Sequence, residues 1–580
     1  MQSTDASVAP ALIESDTRTR DVRVIVGSSL GTVFEWYDFF LYGSLAAIIS
    51  KQFFAGVNET TGFIFALMTF AAGFAVRPLG ALVFGRLGDL IGRKRTFLAT
   101  IIIMGSATTL VGVLPTYAQA GIAAPIALVC LRVLQGLAIG GEYGGAAVYV
   151  AEHAPATRRG EYTSWINSTS SLGLLTSLLV IILCRVLLGS AFESWGWRIP
   201  FLLSTLLLAI SVYLRLQLAE SPVFQRMVAG GHCSKAPIAE CLGRAENLKR
   251  ILLVMFGACA GMTVVFYCSQ FYALFFLTQT LKVDAQAANL LMAAAIAIAA
   301  PLFVVSGWLS DRIGRKTVVL LGCLLAATSY FPIFRGITHF ANPALEAAAR
   351  RAPISVVADP RSCSFPFDPI GKKRFTTSCD IAKTALTKAG VPYTTQAGAP
   401  GEVAFVQVGA AGNGAAGNGA AGRGAAVASA MVVRAFDGMQ MTPAALKKSS
   451  EEFTHRLGAA LASAGYPSKA DPQQINYPMV LVLLVLLVLY SAFAYAPLAA
   501  WLVELFPARI RYTAVSVPYH MAVGWLGGFL PTVAFAIVVI TGDLYAGLWY
   551  AVVVAGFSTL LGALFLPDTL KTAATLDSHL

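Results

Sequence analysis

Gly85-Arg86-Leu87-Gly88-Asp89-Leu90-Ile91-Gly92-Arg93-Lys94-Arg95 and Gly307-Trp308-Leu309-Ser310-Asp311-Arg312-Ile313-Gly314-Arg315-Lys316-Thr317 are two copies of one short motif, 222 residues apart. Each lies between two long apolar runs. A charged turn repeated between hydrophobic runs points to two related halves in a membrane, an architecture that serves mainly to carry small solutes.

The composition agrees. Only 12% of the 580 residues are charged, against about 25% in an ordinary soluble protein, and the mean hydropathy is +0.69. The net charge of +12 does not point to nucleic acid. Its lysines and arginines lie in short clusters between apolar runs, as topology determinants do, and not along one basic stripe.

Twelve apolar runs are long enough to span a bilayer, which takes roughly 20 helical residues. They are residues 24–50, 60–84, 97–115, 124–150, 163–190, 198–218, 249–278, 286–309, 318–338, 477–503, 514–540 and 544–566, called runs 1 to 12. The runs are too long, and alternate too little, for barrel strands. Residues 1–20 carry Asp5, Glu14 and Asp16, which do not fit a cleavable signal, so run 1 reads as an uncleaved signal-anchor.

The loops after runs 2, 4, 6, 8 and 10 hold sixteen lysines and arginines; the short loops on the other side offer only Lys51, Arg185, Arg198 and Lys282. The positive-inside rule therefore puts both termini and the even-numbered loops in the cytoplasm. Residues 1–218 form the first half and 219–248 a cytoplasmic linker. Residues 249–338 hold runs 7–9, and 477–580 hold runs 10–12 with the tail.

A second repeat tests the first. Glu152 through Arg159 follows run 4 and Glu504 through Arg511 follows run 10, with the Glu, a Pro and the last Arg aligned 352 residues apart. The two offsets differ by 130 residues, so the second half holds an insertion between Thr317 and Glu504. Composition places it at 339–476, a polar, Pro/Gly-rich stretch on the non-cytoplasmic side. Helix-like pieces (Thr377–Lys388; Thr442–Ala464 with Thr442 as N-cap) and strand-like pieces (Glu402–Val408; Met431–Phe436) predict a small α/β domain. The Gly/Ala/Asn-rich stretch 409–428 predicts a disordered tip. Cys363 and Cys379, the close cysteine pair of this exported region, predict a disulfide whose loop of about 15 residues is worth roughly 3 kcal/mol.

Charges inside apolar runs are costly and mark function. Run 1 carries Glu35 and Asp38, about 18 and 22 Å past Arg23 at 1.5 Å per residue. Tyr37 and Tyr42 lie beside them. Run 4 carries Arg132, Gln135 and Glu142 on one helical stripe. Two carboxylates and an arginine at mid-membrane suit a proton switch, in which protonating the acid frees the arginine. Asp38, Arg132 and Glu35 are the expected proton-coupling groups; a static ion pair is the competing reading. Tyr37, Tyr42, Gln135, Glu142, Tyr267, Gln270, Tyr495 and Trp525 are candidates for a substrate cavity, with packing as their alternative. Arg77 is either a cavity residue or one that reaches back to the membrane surface. In the turns, Gly85, Asp89, Gly92 and Arg93, Gly307, Asp311, Gly314 and Arg315, with Glu152, Arg159, Glu504 and Arg511, predict ion pairs that latch the cytoplasmic side. No metal-ligand cluster, cofactor loop or nucleophile–base set is visible, so an enzyme is not expected.

The two turns resemble the loops between helices 2 and 3 and helices 8 and 9 of the major facilitator superfamily, with Leu90 where a basic residue is usual. Gly31–Gly43, Arg132–Glu142 and Glu220-Ser221-Pro222 resemble its metabolite:proton symporters, a group with permeases for shikimate, 2-oxoglutarate, citrate, and proline or betaine. The resemblance implies an all-α membrane protein of the bacterial inner membrane. It implies 12 transmembrane helices in two six-helix pseudo-symmetric halves, with the α/β insert between helices 9 and 10. It also implies a monomer that imports a small organic acid or zwitterion with protons, driven by the proton gradient without a cofactor or nucleic-acid partner. In the related sugar porters an Asp of helix 1 pairs with an Arg of helix 4; Asp38 and Arg132 match those positions. A metabolite exporter of the same fold and a transporter-like sensor using the insert are the alternatives.

Overall fold

The computed structural model describes residues 25–570 apart from 26, 30–31, 35, 39, 46–47, 56–67, 70–71, 364–375 and 410–430. Glu35 and nearly all of the Gly/Ala/Asn-rich stretch thus lie outside the described residues.

Ten helices among the described residues are long and apolar enough to cross a membrane: Arg93–Val113, Ala123–His153, Ala156–Leu188, Arg198–Leu216, Ala245–Thr280, Ala285–Ile313, Arg315–Ala341, Tyr477–Leu505, Ala508–Thr541 and Leu548–Phe565. They are runs 3 to 12. Run 1 is helical wherever it is described between residues 25 and 53, and run 2 ends in the helix Arg77–Leu90. Large apolar side chains such as Val186, Leu187 and Leu564 point outward with more than 60% of their surface exposed. Such a belt is stable against lipid and unstable in water. The protein is a multi-pass membrane protein of mainly helical fold with a small sheet.

Each turn copy ends one helix and starts the next in the same way. Gly92 and Gly314 adopt φ of 116° and 106°, a region that side-chain-bearing residues avoid. The helices Arg93–Val113 and Arg315–Ala341 begin at the following residue. Run 9 therefore starts in a turn and ends, about 40 Å away at 1.5 Å per residue, against the insert.

The insert is an α/β unit. Its sheet has the order β2-β1-β3-β4, with β1 Ile354–Ala358, β2 Thr394–Ala397, β3 Phe405–Val408 and β4 Met431–Arg434. The β1–β2 pair is parallel, and the helix Ser378–Ala389 is the crossover that a parallel pair requires. The β1–β3 and β3–β4 pairs are antiparallel. The expected strands at 402–408 and 431–436 are present in shorter form; β1 and β2 were not foreseen. Thr442 caps the helix Pro443–Ser463, as its sequence predicted. The two backbone N–H groups of Gly401 and Arg361 hold the Asp359 carboxyl below the ordinary carboxylate range. That tie is at full strength above the ordinary pKa and weakens as pH falls through the lowered one.

The insert seats on the second half, at the end opposite the turns. Tyr393 donates its N–H to the Gly542 carbonyl at 3.0 Å and its hydroxyl to the Val539 carbonyl at 2.5 Å. Lys282 donates to the Lys388 carbonyl, and Asn342 to the Leu281 carbonyl. Burial pushes the Lys282 ammonium below its usual pKa.

Cys363 and Cys379 are disulfide-bonded, with Cα atoms 5.1 Å apart. Non-reducing mass mapping is expected to recover one linked peptide pair carrying them. Replacing both with serine should cost the insert about 3 kcal/mol, read as an earlier unfolding transition; a free Cys363 peptide from the native protein contradicts the bond.

Candidate functional site

Each turn aspartate docks on the other half. Asp89 accepts from the backbone N–H of Tyr512 at 3.1 Å, the N–H of Thr513 at 3.0 Å and the Thr513 hydroxyl at 2.7 Å. Asp311 accepts from the N–H groups of Gly160 and Glu161, both at 2.8 Å. Those donors open the helices Arg511–Met521 and Arg159–Leu188. A helix N-terminus has unsatisfied N–H groups and a positive dipole end, so a carboxylate seals it. The donor pairs 160/161 and 512/513 are 352 residues apart, the offset of the second repeat.

The surrounding charges repeat the same symmetry. Arg93 pairs with Asp89 at 2.9 Å and lies 3.7 Å from Glu152. Arg315 pairs with Asp311 at 3.0 Å and Glu504 at 3.2 Å. Arg93 also donates to the Ala508 carbonyl at 2.7 Å, and Arg315 to the Ala156 carbonyl at 3.1 Å, each in the opposite half. Arg511 pairs with Glu152 at 3.1 Å, while Arg159 donates to the Ala151 carbonyl at 3.2 Å. Glu152 accepts from the Ser221 hydroxyl and Glu504 from the Thr569 hydroxyl. Close approach completes the seam: a Cβ on Gly85 would stand 2.8 Å from the Thr513 Cα, and one on Gly307 would stand 2.5 Å from the Gly160 carbonyl oxygen. All twelve expected latch residues thus take part in this end of the molecule or its turns. Side-chain pairing foresaw the Asp–Arg and Glu–Arg contacts. It missed Tyr512, Thr513, Ser221 and Thr569, because backbone donors and short hydroxyls leave no charge pattern in a sequence.

At mid-bundle, Asp38 and Arg132 face each other across runs 1 and 4. Their closest atoms, Oδ2 and Nη1, are 3.8 Å apart, and both side chains are buried. Neither Asp38 oxygen, nor Nε or Nη2 of Arg132, has a hydrogen-bond partner. The Arg132 guanidinium lies 3.6 Å over the Tyr42 ring. Gln135 donates to the Thr108 hydroxyl at 2.9 Å, and its Oε1 has no partner. A crevice between runs 2 and 4 is lined by Gly73, Phe74, Arg77, Arg132, Gln135 and Gly136, among others.

Between this centre and the turns, the halves meet through aromatic rings. Tyr143 stacks on Tyr519 at 3.7 Å, and the Tyr519 hydroxyl bonds that of Tyr495 at 2.7 Å. Asn167 donates to the Tyr495 carbonyl at 2.7 Å. Tyr267 packs edge-on to Phe74 at 6.3 Å. Gln270 is buried in the π-helical turn Cys268–Tyr272, a form that recurs at functional sites.

Two cavity expectations need correction. Glu142 does not face a cavity shared by the halves. It pairs with Arg215 of run 6 and accepts from the Thr100 hydroxyl at 2.7 Å, inside the first half. Arg215 also donates to the Phe97 carbonyl at 2.7 Å and stacks over the Phe97 ring. The stripe on run 4 was read correctly, but a stripe does not say which neighbour its far end meets; Arg215, deep in apolar run 6, was the available clue. Tyr37 turns into the first half, where its hydroxyl donates to the Pro200 carbonyl at 2.8 Å. Trp525, another of the cavity candidates, is 47% exposed.

A family model for the Major Facilitator Superfamily matches residues 28–340. The chain belongs to the Major Facilitator Superfamily. Among curated relatives, the shikimate transporter of Escherichia coli (strain K12) is 38% identical over 328 residues, covering 55% of this chain and 73% of that protein. The proline/betaine transporter of the same strain is 37% identical over 326 residues, covering 54% of this chain and 64% of that protein. The matched part therefore spans less than two thirds of the latter. Among solved structures, the proton:xylose symporter XylE bound to 6-bromo-6-deoxy-D-glucose superposes with a TM-score of 0.59 at 15% identity, over 97% of this chain and 99% of that one. A second D-xylose-proton symporter structure gives 0.51 at 16% identity, over 94% and 98%. At such identity the match is one of fold. The relatives are transporters, and the chain is not an enzyme.

The Glu142–Arg215 pair predicts a stability effect. Glu142→Leu leaves a buried guanidinium without its countercharge and should cost about 3–5 kcal/mol, seen as a lower melting temperature in detergent. Adding Arg215→Met should recover most of it. An unchanged melting temperature in Glu142→Leu contradicts the structural role.

Proposed function

We propose that this protein is a secondary active transporter that imports a small carboxylate or zwitterionic metabolite together with protons. It works by alternating access in a bacterial inner membrane. Twelve helices in two six-helix halves carry it as a monomer, with both termini and the turns in the cytoplasm and the insert outside.

The observation that carries the reading is the loose Asp38–Arg132 pair. At 3.8 Å and without a direct hydrogen bond, it is held by charge alone, in surroundings that make charge expensive. Adding one proton to Asp38 removes the attraction and leaves Arg132 free for an anionic cargo group. Proton and cargo thus act on one arginine from two sides, which is what coupling requires. Shikimate, proline and betaine, the cargoes named for the relatives, differ in ring, charge and size but all carry a carboxylate. That shared group supports the cargo class.

The same reading gives the turns their role. The seam between the halves is closed at the turn end, so this conformation shuts the cytoplasmic path. Opening it must break the carboxylate–helix contacts of Asp89 and Asp311 and the Glu152–Arg511 bridge. Cargo and proton supply the differential binding that shifts the balance.

In proteoliposomes, Asp38→Asn is expected to abolish uphill, proton-gradient-driven uptake while cargo exchange across the membrane persists. Uphill uptake at the native rate in Asp38→Asn contradicts the assignment. The notion that Asp38 is the coupling site would also fall if Arg132→Gln left the gradient dependence intact.

A further inference from the structure

We infer that Arg77 is the residue that binds the cargo carboxylate, gripping it with Arg132 in the crevice between runs 2 and 4; this rests on the transport reading above. Arg77 does not reach back to the membrane surface. It is the first residue of the helix Arg77–Leu90, thirteen residues and thus about 20 Å from the turn end, and only 5% of its surface is exposed. Its guanidinium lies 4.2 Å over the Phe74 ring, which holds it beside the crevice it shares with Arg132 and Gln135.

The donors beside the crevice suit a planar, two-oxygen anion. Arg132 turns Nη1 toward Asp38 and keeps Nε and Nη2 without protein acceptors, although the side chain is 95% buried. A buried guanidinium with open N–H groups calls for a carboxylate, whose two oxygens match its fork. Gln135, 99% buried, has its amide N–H committed to Thr108 and its Oε1 open. That oxygen would accept from a hydroxyl or ammonium group on the body of the cargo. Run 11 of the other half closes the site: a Cβ on Gly524 would stand 2.9 Å from the Phe74 carbonyl oxygen. His520, also from run 11, is fully buried with both ring nitrogens unpartnered, and Arg77 is the charge that acts on it. Run 11 of the other half thus packs beside the crevice, whose lining comes from runs 2 and 4.

The two arginines divide the work. Arg132 answers to Asp38 and so reports the proton. Arg77 is not part of that pair, so the cargo stays held while the proton moves. Losing Arg77 should weaken binding; losing Asp38 should uncouple transport without weakening binding.

The test uses the purified full-length protein in detergent, with thermal-shift titrations of shikimate, methyl shikimate, L-proline and glycine betaine as probes. At least one free acid should raise the melting temperature of the native protein, and methyl shikimate should not. For that acid, Arg77→Gln should weaken the apparent Kd by about ten- to a hundredfold, and Asp38→Asn, which releases Arg132 as a proton does, should not weaken it. Arg77→Lys, which keeps the charge and loses the fork, guards against misfolding and should also bind more weakly while melting like the native protein without ligand. No shift with any acid, an ester that binds like its acid, or native affinity in Arg77→Gln and Arg77→Lys overturns the assignment. Acid binding that depends on Arg77 without uphill uptake by the native protein faults the transport reading and leaves the site; uptake with no dependence on Arg77 faults the site and leaves transport.

Discussion

A carboxylate pressed against the first turn of a helix holds the two halves together, and it does so twice. Asp89 caps the helix that starts at Arg511, and Asp311 caps the helix that starts at Arg159. Everything at that end follows from burying these charges. A buried carboxylate must have its lone pairs filled, so each aspartate needs the opposite half in place. Arg93 and Arg315 neutralise the aspartates and in turn need Glu152 and Glu504. The glycines keep the backbones close enough for these bonds to form. If the halves separate, water must replace every one of these contacts, so the seam has two states and little between them. That is the physical form of a switch.

Much of this was legible in the sequence, and the reason is chemical economy. Charged residues are rare in this chain, so the repeated turns stood out; their offset against that of the second repeat put an insertion between Thr317 and Glu504, and composition put it between runs 9 and 10. Ten of the runs are helices of the expected extent, because length and apolar composition leave no other spanning form. The Cys363–Cys379 bond followed from where the pair lies. What stayed hidden depends on neighbours across the fold. Glu142 and Arg132 sit on one stripe of one helix, yet one pairs inside its own half and the other opens to the crevice. Strands β1 and β2 are four or five residues long and mostly lack the apolar alternation that marks a half-buried strand. Four bonds that join the turn aspartates to the opposite half come from backbone N–H groups, which nearly every residue has and no motif records.

The centre of the molecule works by the opposite rule. At the seam each carboxylate meets an arginine, a hydroxyl or a helix N-terminus; at Asp38, Arg132 and Gln135, polar atoms are buried and left open. A protein pays that cost where a ligand or proton completes the set. The tyrosine stack of Tyr143, Tyr519 and Tyr495 separates the two regions and joins the halves between them. In the proposed cycle, filling the open centre supplies the free energy that releases the closed seam.

The central claim is that the aspartate–helix contacts hold the turn end shut. Spin labels at Arg86→Cys and Arg312→Cys, both exposed positions on opposite halves, report its width by double electron–electron resonance, with Cys130 and Cys233 replaced by serine. The native protein should give a short distance as its main population. Asp89→Asn with Asp311→Asn should move most of that population to longer distances. A distance distribution unchanged by the double substitution contradicts the account.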